Sequence, residues 1–352
     1  MAINPAFLTV LSADNETRRG LFAASARRLG ASERNIEKDF WITLTLDALF
    51  NGVEAGGPRL LFKGGTSLSK AYGLISRFSE DIDVTVFRDD LGQPGSVEEL
   101  EALSGRQRKI RLDAIRDVCR DFIQGALRGQ LEAVFGAALA EARHPPVEIA
   151  PDPEDATGQG LRIRYMSVLA EDDGYVRPIV RIEAGAKSAL DPNAPQILTP
   201  YVAGDLPDTQ FHIPNVLTVD AGRTFWDKVV ILHGLRRWFE IRGELRQEGQ
   251  RISRHYYDLH RLLESNVAVA VDDRALGEDC VRHARVFFDR PDFDLATARP
   301  GSFALAPVGD MVERLRRDYI AMAAMIFGEP PSFETVLASI AELEARLNAD
   351  PA

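Results

Sequence analysis

The chain is poor in cysteine, and Cys119 and Cys280 are the two it has among 352 residues. Two cysteines give no disulfide framework, and no Cys/His spacing typical of zinc sites is present. No segment approaches the run of about 20 apolar residues that a membrane-spanning helix needs. The first residues also lack a basic segment followed by an apolar one. We therefore expect a protein of the reducing cytoplasm, with no membrane partner.

The chain also has no excess of positive charge, because its net charge is −11. This balance argues against indiscriminate nucleic-acid binding, so any RNA contact must come from local basic surface. Two helical stretches are locally basic: Arg106, Arg108, Lys109, Arg111, Arg116 and Arg120 in one, and Arg236, Arg237, Arg242, Arg246, Arg251 and Arg254 in the other. Both stretches contain acids as well, so each alone is typical of a solvated helix face.

Hydrophobic residues make up 45% of the chain, enough for a large core and two lobes. We place one domain at residues 1–214, with a helical opening, and a mostly helical domain at residues 215–352. Proline and glycine content predicts links at residues 144–153 and 191–214 and a loop at residues 289–307.

Two aspartates one residue apart are the most informative feature. In Ser79-Glu80-Asp81-Ile82-Asp83-Val84 a strand would turn Ile82 and Val84 into a core and Asp81 and Asp83 to the other face. Paired carboxylates repel each other unless a cation or strong donors lie between them, and Mg²⁺ prefers such oxygen ligands together with phosphates. The alternative is a solvated strand face.

A glycine turn precedes the aspartates. Leu60-Leu61-Phe62 reads as a short buried strand, and Lys63-Gly64-Gly65-Thr66-Ser67 leads from it into a segment with helical spacing as far as Ile75. Paired glycines allow close backbone approach, and the N–H groups that open a helix favour phosphate. The alternative is an ordinary tight turn. The pattern is not a P-loop, because no Gly-Lys-Ser/Thr follows at the required spacing.

Glu183 is a candidate third acid. Strand alternation over residues 179–184 places Glu183 and Arg181 on one face, from which Glu183 could join the aspartates around metal. A salt bridge with Arg181 or another surface cation is the equally supported alternative.

Lys228 and Asp258 are two further candidates, on separate helical segments. Lys228 lies in the segment Phe225-Trp226-Asp227-Lys228-Val229-Val230. This segment is so apolar that the ammonium group of Lys228 must snorkel to the surface, pair with an acid or contact a ligand. Asp258 has Arg254 four residues before it and Arg261 three after it, so helix-surface ion pairs alone could account for it.

These motifs together resemble those of AbiEii/AbiGii-type toxins, which are nucleotidyltransferases of the DNA polymerase β-like superfamily. The resemblance is carried, in chain order, by Ile36-Glu37-Lys38-Asp39-Phe40-Trp41, Phe62-Lys63-Gly64-Gly65-Thr66-Ser67-Leu68-Ser69-Lys70, Arg77-Phe78-Ser79-Glu80-Asp81-Ile82-Asp83, Thr224-Phe225-Trp226-Asp227-Lys228 and Arg254-His255-Tyr256-Tyr257-Asp258-Leu259. It implies an α+β fold, in which a minimal nucleotidyltransferase mixed sheet is flanked by helices and followed by a mostly helical C-terminal lobe. Asp227 stands where glutamate is usual in this branch.

The resemblance also implies roles for individual residues. Asp81 and Asp83 would bind metal, Gly65, Thr66 and Ser67 would hold triphosphate, and Lys63 and Gly64 belong to the same nucleotide-binding turn. Lys228 would contact the triphosphate. Asp258 would occupy the last catalytic position.

The function implied is that of a toxin in a toxin–antitoxin or phage-defence system. It would use Mg²⁺ or Mn²⁺ and a nucleoside triphosphate (NTP) to add a nucleoside monophosphate to the 3′ end of tRNA, blocking translation, and would pair with an antitoxin encoded alongside. Transfer to a protein or small-molecule acceptor and a catalytically idle binding module remain alternatives.

Overall fold

The computed structural model describes residues 3–169, 177–246, 248–323 and 325–349. The chain divides into two compact units. The first comprises Met1–Gly73, Phe78–Gly95 and Leu103–Val219, and the second comprises Leu74–Arg77, Ser96–Ala102 and Asp220–Ala352.

The first unit contains the sheet. Its strands are β1 (Leu60–Lys63), β2 (Asp81–Val86), β3 (Glu148–Pro151), β4 (Gly160–Arg164), β5 (Ile179–Gly185), β6 (Asn193–Leu198) and β7 (Ile213–Val219). Its α-helices are α1 (Pro5–Ser12), α2 (Asn15–Leu29), α3 (Glu33–Asp47), α4 (Gly64–Lys70), α6 (Gly105–Phe122) and α7 (Arg128–Glu141). Short π-helical turns at Ala48–Gly52 and Ile123–Leu127 extend α3 and join α6 to α7.

The seven strands form one mixed sheet in the order β3-β4-β5-β2-β1-β7-β6. β2 is its central strand, antiparallel to β1 and parallel to β5. Ile82, Val84 and Val86 of β2 are buried, as the alternation predicts. The mixed sheet with its helices confirms the expected α+β class.

The second unit is helical, as expected for the C-terminal lobe. Its α-helices are α5 (Val97–Glu101), α8 (Ala221–Arg242), α9 (Ser253–Leu263), α10 (Arg274–Phe287), α11 (Asp310–Ala323) and α12 (Phe333–Asn348). α8 packs against α9 and α10, and α9 packs against α11 and α12. The core includes Trp226, whose indole N–H donates to the Ala270 carbonyl over 2.8 Å. The predicted loop at residues 289–307 contains two short 3₁₀ turns, at Pro291–Phe293 and Leu295–Thr297.

Three strands were missed by the sequence interpretation. β3 lies inside the predicted link at residues 144–153, β6 lies inside the one at residues 191–214, and β7 begins at its end. Pro151, Pro195 and Pro214 misled the interpretation, since proline is depleted in central strands. β3 and β6 are the two edge strands of the sheet, where a missing N–H is tolerated. Pro214 is the second residue of β7.

The helix after the glycine turn was also predicted too long. It ends at Lys70 instead of continuing to Ile75. Residues 74–77 belong to the helical unit, so the chain leaves the first unit at Gly73 and returns to it at Phe78. Gly73 has φ +63°, a conformation that glycine adopts readily.

Candidate active site

The glycine bend at the end of β1 lies directly against the carboxylate of Asp83. Gly64 has φ +79°. A Cβ atom at this position would lie 2.0 Å from Oδ2 and 2.7 Å from Cγ of Asp83. Both the backbone angle and the contact therefore require glycine, and the bend and the second aspartate form one tightly fitted element.

The two hydroxyls of the bend donate into the protein. Thr66 Oγ1 donates to the backbone carbonyl of Asp81, and Ser67 Oγ donates to the Gly64 carbonyl over 2.9 Å. Both residues are buried. The hydroxyl of Thr66 thus ties the bend to the first residue of β2, and that of Ser67 closes the bend on itself.

The strand register gathers charged residues around the aspartates. β2 pairs with β5 so that Asp81 is opposite Arg181 and Asp83 is opposite Glu183, and it pairs with β1 so that Asp83 is also opposite Lys63. Opposite residues in a sheet point to the same face, so all five share one face. The Lys63 ammonium is 3.9 Å from Asp83 Oδ1.

Glu183, the candidate third acid, lies opposite Asp83 in the sheet and is exposed. Arg181 pairs with Glu154 at 2.7 Å and with Asp152 at 3.6 Å. Within the part of the chain that the structure describes, no three His, Cys, Asp or Glu side chains are grouped as a metal site. A metal role for Glu183 therefore stays a prediction.

Two carboxylates on one strand face nevertheless suit the metal that the motifs imply. Mg²⁺ takes one or two carboxylates and completes its shell with water and phosphate oxygens. Asp81 and Asp83 provide such a pair, and the fit of Gly64 against Asp83 lets the backbone of the bend come close to it. A third protein ligand is not needed for this chemistry.

Lys228 and Asp258 form a buried ion pair in the helical unit. Lys228 Nζ is 2.7 Å from Asp258 Oδ2. The same carboxylate accepts two hydrogen bonds from Arg77, from Nε at 2.6 Å and from Nη2 at 2.8 Å. Asp258 is fully buried and Lys228 is 6% exposed.

The charges of this cluster shift one another. Burial alone would raise the pKa of Asp258, but Arg77 and Lys228 outweigh it and hold that pKa well below its usual range. Burial lowers the pKa of Lys228, and the attraction of Asp258 opposes this change. The carboxylate is therefore ionised and serves two cations.

This arrangement corrects two sequence interpretations. Asp258 is buried and pairs with Arg77 and Lys228, whereas Arg261 pairs with Glu264, so the helix-surface explanation of Asp258 is wrong. Lys228 does not snorkel, because it is buried and paired. The role of Arg77 was missed, although a lone arginine between the apolar Ile75 and Phe78 was a usable signal.

The two basic helical stretches carry internal ion pairs. In α6, Lys109 and Arg116 pair with Asp113, and Arg120 pairs with Asp117. In α8, Arg236 and Arg237 pair with Glu240. The α6 contacts support the interpretation of that stretch as a solvated helix face with acids interspersed. In α8, Arg236 and Arg237 are only partly exposed, and Arg236 also donates to the Ala306 carbonyl.

A family model described as "Nucleotidyl transferase AbiEii toxin, Type IV TA system" matches residues 47–339, which is most of the chain. The chain belongs to the AbiEii family. It is therefore a nucleotidyltransferase of a toxin family from type IV toxin–antitoxin systems, which implies a nucleoside triphosphate substrate and an antitoxin. The family and enzyme class expected from the motifs are confirmed.

Other comparisons are less informative. Among solved structures the AbiEii chain is similar to MenT4, a nucleotidyltransferase toxin from Mycobacterium tuberculosis H37Rv, with 19% identity and a TM-score of 0.48. The match covers 95% of this chain and 90% of that one. Comparison with curated proteins finds no match. No helix among the described residues is long and apolar enough to cross a bilayer.

Proposed function

We propose that this AbiEii-family chain transfers a nucleoside monophosphate from a triphosphate to the 3′ end of tRNA, with Mg²⁺ held by Asp81 and Asp83. The observation that carries the proposal is the fit of the Gly64 backbone against the Asp83 carboxylate. The fit places a glycine bend of the kind that binds phosphate against strand β2, which carries the two candidate metal ligands. The motif resemblance supports tRNA as the acceptor, and the toxin family supports nucleotidyl transfer as the reaction.

In the proposed reaction the terminal hydroxyl oxygen of the acceptor bonds to the α-phosphorus, and the bond from that phosphorus to pyrophosphate breaks. The hydroxyl proton is released to solvent. Bound Mg²⁺ would neutralise phosphate charge and orient the reacting groups. Such a reaction takes place in the cytoplasm, where tRNA and nucleoside triphosphates meet.

The residues of the bend would act mainly through their backbone. Gly64 and Gly65 let the chain approach the triphosphate, and Lys63 adds an ammonium beside Asp83. Because their hydroxyls donate into the protein, Thr66 and Ser67 would hold the shape of the bend, and backbone N–H groups from Gly64 to Thr66 would face the triphosphate. Lys228 keeps its proposed contact to the triphosphate and Asp258 its place at the last catalytic position. Residues 1–214 would form the nucleotidyltransferase domain and residues 215–352 the helical one.

The test is incorporation of label by purified protein. The protein is incubated with total RNA, Mg²⁺ and each α-labelled triphosphate in turn, and the labelled RNA ends are sequenced. We expect label at tRNA 3′ ends, and its loss in Asp81→Ala with unchanged melting temperature. Asp89→Ala is the matched control, because Asp89 is an exposed aspartate just beyond the same strand.

Two outcomes would contradict the proposal in different ways. Undiminished labelling by Asp81→Ala would remove Asp81 from the mechanism. Label in the protein or metabolite fraction, with none in RNA, would keep the enzyme but replace the acceptor.

A further inference from the structure

Three consecutive charged residues are buried on α3. Glu37, Lys38 and Asp39 are 3%, 4% and 1% exposed. Charged residues are almost never this buried unless they are paired. Since successive side chains on a helix point about 100° apart, the three must find partners in different directions.

Each of them reaches a different segment of the first unit. Glu37 accepts from the Ser167 hydroxyl and from the backbone N–H of Val168. Lys38 Nζ donates to Glu80 Oε2 over 2.9 Å. Asp39 pairs with Lys70 and accepts from the Tyr201 backbone N–H over 2.7 Å.

Two of these segments belong to the candidate active site. Glu80 directly precedes Asp81, the first residue of β2. Lys70 is the last residue of α4, the helix that begins at Gly64. Neighbouring residues of α3 are therefore tied to both parts of the site, Lys38 to the aspartate strand and Asp39 to the helix of the glycine bend.

The start of β2 is thereby held from two directions. The side chain of Glu80 is fixed by Lys38, and the backbone carbonyl of Asp81 accepts from Thr66. Because strand side chains alternate, a Glu80 side chain turned towards α3 leaves that of Asp81 on the opposite face. The Lys38 contact therefore holds the residue next to Asp81 on the face opposite to that of the Asp81 carboxylate.

Stability alone does not explain such a pair. Replacing a buried ion pair with apolar residues of similar volume is often neutral or stabilising, so its presence is weak support for a purely structural role. Groups that orient metal ligands, by contrast, commonly matter by about 10–100-fold in metal affinity or activity.

We propose that Lys38 is a positioning residue for nucleotidyl transfer, which acts through Glu80 to fix the carboxylate of Asp81 towards the metal and the triphosphate. Lys38 touches neither reactant in this proposal. The inference rests on the proposed function, since it needs Asp81 to act there.

The test compares Lys38→Met, Lys38→Arg and Glu80→Gln with the wild type. Two quantities are measured: the Mg²⁺ concentration at half-maximal labelling, and the affinity for Mn²⁺ with a non-hydrolysable triphosphate, followed by the electron paramagnetic resonance signal of free Mn²⁺. We expect Lys38→Met and Glu80→Gln to weaken Mn²⁺ binding and to raise the Mg²⁺ requirement by about tenfold or more. Lys38→Arg keeps the positive charge, so its Mn²⁺ affinity and its Mg²⁺ requirement should both be close to those of the wild type.

Glu37→Gln is the matched control, because Glu37 is the neighbouring buried residue on the same helix and its partners lie outside the bend and β2. It should leave metal affinity unchanged. The double variant Lys38→Met/Glu80→Gln should lose less Mn²⁺ affinity than the sum of the two single losses, since both changes break the Lys38–Glu80 contact.

Wild-type Mn²⁺ affinity in folded Lys38→Met, or an equal loss in Glu37→Gln, would overturn the proposal. If Lys38→Met fails to fold, the same readings on Glu80→Gln decide, because that change keeps the size of the side chain. Failure of the proposed function is distinguishable, since then Asp81→Ala would retain labelling whatever the Lys38 variants do.

Discussion

Arg77 donates two hydrogen bonds to the carboxylate of Asp258, from Nε to Oδ1 over 2.6 Å and from Nη2 to Oδ2 over 2.8 Å. Lys228 donates to the same carboxylate over 2.7 Å. One buried anion therefore compensates two buried cations, and all three residues belong to the helical unit.

Asp258→Asn should destabilise the protein strongly. The substitution removes the Asp258 carboxylate from the buried charges of Arg77 and Lys228, and breaking a buried pair in this way costs about 3–5 kcal/mol in the free energy of unfolding. The measurement is urea unfolding at pH 7. Asp272→Asn is the matched control: Asp272 pairs with Arg346 at an exposed position, where a pair contributes about 0–1 kcal/mol. If Asp258→Asn and Asp272→Asn lowered the free energy of unfolding equally, burial of the Asp258 cluster would not explain its contribution to stability.

The stability that Asp258 contributes should depend on acidity. Its folded pKa is held well below the value of about 3.9 for an unfolded aspartate, so its contribution is complete above that value. It is lost as the pH falls through the folded pKa. The difference in unfolding free energy between wild type and Asp258→Asn should thus stay constant from pH 7 to pH 5 and shrink below about pH 4. If the difference in unfolding free energy shrinks already at pH 6, a group other than Asp258 causes the pH dependence.

Gly64→Ala should abolish labelling. Its Cβ would fall 2.0 Å from Asp83 Oδ2, so either the bend or the aspartate must move. Gly73→Ala separates this contact from backbone strain, because Gly73 also has a positive φ and a Cβ there would meet nothing within 4 Å. Both variants should lose stability, whereas Gly73→Ala should keep metal-dependent labelling. Retained labelling in Gly64→Ala would mean that the close approach is dispensable.

His233 should make the protein less stable in mild acid. The backbone N–H of Ala304 donates to its Nδ1 over 3.1 Å, so that nitrogen must be unprotonated, and burial lowers the pKa of this histidine. An unfolded histidine takes a proton below about pH 6.5, so stability is lost as the pH falls below that value.

Between about pH 6.5 and pH 5, which is about 1.5 pH units, His233 should lower the free energy of unfolding by up to about 2 kcal/mol. Urea midpoints at pH 7 and pH 5 would measure it. His233→Asn keeps an acceptor for Ala304 and should reduce the pH dependence. His212→Asn, at an exposed histidine, should not. An unchanged pH dependence in His233→Asn would contradict the argument.

Local patterns predicted the centre of the sheet but not its margins. β1, β2 and β5 show apolar runs or strict alternation, which reflect burial and pleat and can be read from sequence. β3 and β6 contain proline, and their strand conformation depends on a neighbouring strand that only the folded sheet provides.

The partners of buried charges were beyond sequence reasoning for a similar reason. The apolar surroundings of Lys228 indicated that its ammonium must snorkel, pair or meet a ligand, but its partner Asp258 is 30 residues away and on another helix. Lys38 and Glu80 are likewise 42 residues apart. Neighbours along one helix can be inferred from spacing, whereas these contacts depend on how the elements pack.

The inward hydroxyls of Thr66 and Ser67 bear on how such a toxin can be silenced. Both residues are at most 1% exposed, so a kinase or other modifying enzyme cannot reach their oxygens in this conformation. Phosphorylation at either position would require the bend to open first and would then break the contacts that close it. Susceptibility to that kind of neutralisation would therefore follow the local unfolding of the bend.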